Sequence, residues 1–173
     1  HLFKGRGIEL IIQLAYELPE CDFHVFGGLP EDVSKYSKQL LSNNIKLHGF
    51  KQQSELPYLR SECDVLLMPY QKNLSIYGSN LSTVNWMSPM KLFEYMSSSR
   101  AIISSDLPVI REVLNDKNSI LVAPEDQDGW VAAVRSLKNI QLREEIAKNA
   151  YAEFLLKYTW DIRVKNIFKE YRA

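Results

Sequence analysis

Two short runs carry side chains whose types and spacing suit an anionic, hydroxylated ligand. In the first, Gly5-Arg6-Gly7 sets a basic side chain in a glycine turn just before a helical pattern that begins near Ile8. Glycine lets a backbone turn tightly and approach a ligand closely. The N–H groups and dipole at a helix start favour an anion. Arg6 then reads as a diphosphate clamp, while a solvated arginine in a tight turn is the plainer reading of the same residues. A dinucleotide fingerprint would need a third glycine at position 10, which is Leu10, so dehydrogenase and receiver-type domains fit poorly.

The second run is Ser88-Pro89-Met90-Lys91-Leu92-Phe93-Glu94-Tyr95-Met96. Ser88 suits an N-cap and Pro89 a first helical residue, which would aim free N–H groups at a ligand. Lys91 in a first turn opposes the usual preference for acidic residues there, a conflict that a bound anion would resolve. Glu94 lies three residues on, on the same face, and a carboxylate that accepts two hydrogen bonds suits the paired hydroxyls of a ribose. A solvated Lys91–Glu94 pair is the plainer alternative.

These runs need a scaffold that brings them together. Helical patterns alternate with short apolar strands: helices at about 7–18, 31–42 and 54–61, and strands at about 22–27, 45–49, 64–68, 101–104 and 119–122. Two further helices are expected at about 140–157 and 161–172. The alternation predicts an α/β fold, a Rossmann-like doubly wound parallel sheet of about six strands with helices on both faces and a C-terminal helical extension. Val65-Leu66-Leu67-Met68 is apolar at successive positions, as a strand covered on both faces should be. Glu20-Cys21-Asp22 and Glu62-Cys63-Asp64 echo one another as two equivalent joints between a helix and a strand. The stretch from Tyr70 to Met87 has no clean period and follows a strand's carboxyl end, where open α/β sheets bind ligands. In the last helix Val164, Ile167, Phe168 and Tyr171 share one face, which is expected to cap this domain, with a surface for a further domain as the alternative.

The bulk properties bound the function. At 173 residues and 46% apolar, the chain has length for one domain with a real core. Lys plus Arg and Asp plus Glu both number 21, so no global field would hold nucleic acid or an anionic membrane, and any phosphate must be caught locally. Cys21 and Cys63 match no metal or redox spacing and read as buried thiols of a reducing cytosol. His1, His24 and His48 are expected to form no ligand cluster, and no DxD-type acidic run adjoins the proposed crevice. No apolar run has the length of a membrane span. The chain opens at His1 rather than a methionine, close to a glycine turn, and further residues of the natural protein are expected upstream.

The run SPMKLFEYMSSSRAIISSDLPVIREVL resembles the donor-site segment of the large retaining family of GT-B glycosyltransferases, glycosyl transferases group 1 or family 4, especially its bacterial surface-polysaccharide members. HLFKGRGIELI is similar to that family's opening strand, basic phosphate-binding turn and first helix. IKLHGF and DVLLMPY look like its third and fourth strands, and YTWDIRVKNIFKEYR resembles its closing segment. The resemblance implies that Arg6 is the basic diphosphate ligand within Gly5 and Gly7, and that His1 is a second basic residue there. It implies that Ser88, Pro89, Met90 and Lys91 form the helix start facing the donor phosphates, that Glu94 binds the ribose, and that Gly49 and Phe50 pass the nucleobase. Many members carry a glutamate eight positions before the ribose ligand, where this sequence has Trp86. That departure bears on the donor sugar more than on the nucleotide.

What the resemblance implies of function is transfer of a sugar, by a hexosyl- or N-acetylhexosaminyltransferase, from a nucleoside diphosphate to an acceptor hydroxyl with retention. The setting implied is polysaccharide biosynthesis such as O-antigen, lipopolysaccharide or capsule. The donor implied is a UDP-sugar in preference to a GDP-sugar, with no metal or other cofactor. The chain would be the C-terminal, nucleotide-sugar-binding domain, inactive by itself. A missing N-terminal domain would hold a glycan or lipid-linked glycan acceptor, in the cytoplasm and at the inner face of its membrane. A nucleotide-sugar epimerase half, or a binding module that catalyses nothing, remains as an alternative.

Overall fold

The computed structural model describes Leu2, residues 5–72 and residues 90–170, with side chains as far as Phe168. Helix α1 (Ile8–Glu17) leads to strand β1 (Phe23–Val25), α2 (Pro30–Ser37) to β2 (Ile45–Leu47), and α3 (Leu56–Ser61) to β3 (Val65–Met68). Then follow α4 (Met90–Met96), β4 (Ala101–Ser105), α5 (Pro108–Arg111), β5 (Ile120–Val122), α6 (Gln127–Ser136), α7 (Ile140–Lys157) and α8 (Trp160–Glu170). The expected alternation is present, with every strand except β4 shorter than expected and a shorter α2. Among the described residues there are five strands rather than about six, and they form two pieces of sheet.

All pairings within named strands are parallel. In one piece Phe23 lies opposite Ile45 and Val25 opposite Leu47. In the other β4 is central, with Val65 opposite Ala101 and Ile103 opposite Ile120. All five residues of β4 are buried, as a strand covered on both faces requires. Its alternate side chains divide between two cores. Ala101 and Ile103 join Ile8, Ile12, Leu14, Phe23, Val25 and Trp130 in a core that also takes up residues of β1, β2 and α6. Ile102 points the other way, into a second core with Met68, Leu92, Met96, Ile110 and Ala150, where α4, α5 and α7 cover the sheet.

The two helix-to-strand joints are structural. Asn44 donates through Nδ2 to the carbonyls of Ala15, Leu18 and Cys21 at 2.7–3.0 Å, tying the end of α1 to the start of β2. Glu20 meets Lys138 at 2.8 Å, and Asp64 meets Arg143 at 3.5 Å. Cys21 and Cys63 are free thiols, part-buried rather than fully buried, and burial pushes both above the ordinary thiol range. The last helix departs from expectation: Val164, Ile167 and Phe168 are exposed rather than packed on the domain, and Trp160 is 70% exposed. Tyr171 lies outside the described residues.

Candidate functional site

The glycine turn is anchored to the carboxyl end of β3. Gln71 donates its backbone N–H to the Gly5 carbonyl at 2.9 Å. Gly7 has φ of +84°, and a Cβ there would stand 2.1 Å from the Pro69 carbonyl oxygen. Gly7 is thus required by the chain's own backbone, through both a left-handed conformation and close approach to Pro69. Gly5 and Gly7 are buried while Arg6, between them, is exposed, so the turn presents the guanidinium at the end of the strand. A cleft of about 740 Å³ opens beside it, with Gly5, Glu9, Leu10, Gln71, Pro124 and Glu125 among its lining residues.

Helix α4 brings Lys91 to the same place. Its side chain is part-buried, and Nζ lies 5.0 Å from the centre of the Tyr70 ring and 5.5 Å from that of Tyr95. Burial first, and then the nearby Arg6 charge, bring the ammonium down to about 8 against the smaller opposing effect of Glu94. Burial likewise pushes the Tyr70 phenol up, against the opposing charge of Arg6. Arg6 and Lys91, 85 positions apart in the sequence numbering, therefore sit within electrostatic reach of one another. Neither has an ion-pair partner among the described residues.

Glu94 does not pair with Lys91 as the plainer sequence reading had it. Its Oε2 accepts from Arg60 Nη1 at 3.0 Å and its Oε1 from Gln53 Nε2 at 3.1 Å. Arg60 stands on α3 and Gln53 on the segment after β2, so tertiary contacts overrule the helical i,i+3 spacing. Through Gln53, the segment that begins at Gly49 and Phe50 is brought to Glu94. Gly49 has φ of +66° and Phe50 is 75% exposed. Met90 opens the described part of α4 and is exposed. His1, Ser88, Pro89, Trp86 and nearly all of the Tyr70 to Met87 stretch lie outside the described residues.

The sequence reading missed Tyr70, Tyr95, Arg60 and Gln53. Tyr95 was open to discovery, since it lies four residues after Lys91 on one helical face. Arg60 offered no signal, because its partner is 34 positions away on another element. One contact between histidines was not anticipated. His24 and His48 are in contact, with Nδ1 and Nε2 at 2.9 Å, and His48 stacks on Phe26 at 4.5 Å between ring centres. Parallel register explains it: His24 is opposite Lys46, and side chains two apart on a strand share a face. No group of three or more metal-ligating side chains occurs among the described residues.

The arrangement defines a doubly wound α/β domain that collects two cations and an oriented carboxylate around the carboxyl end of a sheet strand. A family profile described as "Glycosyl transferase-like" matches residues 6–169, and the chain belongs to that family. Comparison with curated proteins gave no match. Among solved structures, the chain is similar to HepE (Alr3699) of Anabaena, crystallised with UDP and glucose, at 16% identity and a TM-score of 0.77 over 100% of this chain and 46% of that one. It is similar to a sucrose-phosphate synthase from Thermosynechococcus elongatus, at 16% identity and a TM-score of 0.76 over 98% and 42%. It is also similar to the C-terminal domain of a glycosyl transferase group 1 family protein, LpcC, from Francisella tularensis, at 21% identity and a TM-score of 0.69 over 92% and 83%. The chain spans less than half the length of the first two. Among the described residues, no helix is long and apolar enough to cross a membrane.

Proposed function

We propose that the chain is the donor-binding domain of a glycosyltransferase and takes a nucleoside-diphosphate sugar, UDP in preference to GDP. The observation that carries this reading is the convergence at the carboxyl end of β3 of Arg6 and Lys91, two cations without carboxylate partners among the described residues. Negative charge grows on the diphosphate as the glycosidic bond breaks, so both cations stabilise the transition state more than the ground state. Two fixed cations supply that compensation without a divalent metal, and transfer should survive chelation. Glu94 accepts the ribose hydroxyls, and Gly49 and Phe50 flank the base. UDP in the HepE crystal is consistent with this donor class.

In the proposed whole protein, a further N-terminal domain holds a glycan or lipid-linked glycan acceptor. The sugar is a hexose or N-acetylhexosamine and is transferred with retention. The setting is surface-polysaccharide assembly at the inner face of the cytoplasmic membrane. The test is a titration with UDP, GDP, ADP and CMP. Losing one charge-assisted contact costs about 1.5 to 3 kcal/mol, so Arg6→Ala should weaken UDP roughly ten- to a hundredfold while sparing uridine. The reading fails if Arg6→Ala binds both as the intact protein does.

A further inference from the structure

We propose that Arg60 is a positioning residue that holds the Glu94 carboxylate ready for a vicinal diol, which rests on reading Glu94 as the ribose ligand. Arg60 reaches from α3 to α4 with 13% of its side chain exposed. Its Nη1 donates to Glu94 Oε2 at 3.0 Å and its Nε to Ser98 Oγ at 3.0 Å, and Ser98 Oγ in turn donates to the Glu94 backbone carbonyl at 2.7 Å. Glu94 lies in the last turn of α4 and Ser98 in the turn that follows it, so one guanidinium grips the end of the helix at two points. The planar fork cannot rotate without losing one of these bonds, and the carboxylate plane is set with it. A lysine could replace the charge but not both contacts.

The geometry leaves the carboxylate half-used. An ionised carboxylate has about four lone-pair sites. Arg60 occupies one on Oε2 and Gln53 one on Oε1, which leaves acceptor capacity on each oxygen. The Glu94 side chain keeps 31% of its surface exposed, so these sites remain open to a ligand. Two adjacent hydroxyls would each meet one oxygen. Without Arg60 the carboxylate is free to swing toward Gln53 or solvent, and the two acceptors no longer face one diol.

A latch that merely joined α3 to α4 would affect every ligand alike, and this separates the two roles. The experiment measures UDP and 2′,3′-dideoxy-UDP affinities for the protein and its Glu94→Gln, Arg60→Met, Arg60→Lys and Ser98→Ala variants. Discrimination on the order of tenfold or more is expected for the intact protein, from hydrogen bonds to a charged acceptor. Glu94→Gln should abolish most of it. Arg60→Met should do nearly the same while binding the dideoxy ligand normally, which also reports a folded site. Arg60→Lys should restore part of the discrimination, and Ser98→Ala should lower it less. Equal loss of both ligands in Arg60→Met, or unchanged discrimination there, overturns the proposal. If Arg60→Met does not fold, unchanged discrimination in both Arg60→Lys and Ser98→Ala overturns it. Failure of the underlying ribose reading shows earlier and separately: the intact protein would bind both ligands equally or would not bind UDP, and the proposal would fall with it.

Discussion

Lys91 places function and stability in opposition, and Lys91→Met isolates the conflict. Moving the ammonium from the ordinary 10.5 to about 8 disfavours the charged form by about 3 kcal/mol, at about 1.36 kcal/mol per unit. The residue is only part-buried, and contacts with the Tyr70 and Tyr95 rings return about 0.5 to 1 kcal/mol each. A net cost of about 1 to 2 kcal/mol at neutral pH remains. Methionine keeps an unbranched apolar chain against the rings without the charge, so ligand-free Lys91→Met should be more stable by about that amount at pH 7. The pH dependence has a definite sign. A lysine depressed in the folded state imposes its full penalty below about 8, and the penalty is relieved as pH rises toward 10.5. The stability advantage of Lys91→Met should therefore shrink between about pH 7 and pH 9.5. Urea unfolding of both proteins at the two pH values measures this, with other titrating groups cancelling in the difference. On the proposed function the same variant binds UDP more weakly. A less stable Lys91→Met at pH 7, or an advantage equal at both pH values, would refute the reasoning.

Gly7→Ala should destabilise the fold by about 2 kcal/mol or more, because its Cβ would meet the Pro69 carbonyl at a positive φ; an unchanged denaturation midpoint would show that the turn can shift freely. His48 is held below the ordinary histidine value by burial first, and then by the charges of His24, Lys51 and Lys46. Its neutral form suits the fold, so its contribution is present above 6.5 and lost as pH falls below it. His48→Gln should flatten the fall in melting temperature between about pH 7.5 and pH 5, and an identical slope would remove His48 from the account.

The alternation of helices and strands was legible because it rests on local properties: apolar period, glycine turns and strand length. The five described strands and most of the helices follow that pattern, whereas α5 and α6 were not anticipated, and β4 has the two-sided burial that a parallel strand requires. Arg6, Lys91 and Glu94 were legible as unusual side chains beside a glycine turn and in a marked helix. Their relations were not. The spacing of Lys91 and Glu94 suggests a pair on one helix, whereas Arg60 reaching across from α3 takes the Glu94 carboxylate and Lys91 lies against two tyrosines.

The two histidines show the same limit, since nothing in a sequence separation of 24 residues reveals that two parallel strands set them face to face. Likewise, the apolar stripe of α8 was plain in the sequence, but its exposure depended on where the helix lies. The order of elements and the residues able to bind an anion were thus determined by the sequence alone, because backbone preference and side-chain chemistry act over a few neighbouring positions. Which charge meets which, and which ammonium loses its water, was decided only by the tertiary structure, because those energies depend on distance and burial between elements far apart in the chain.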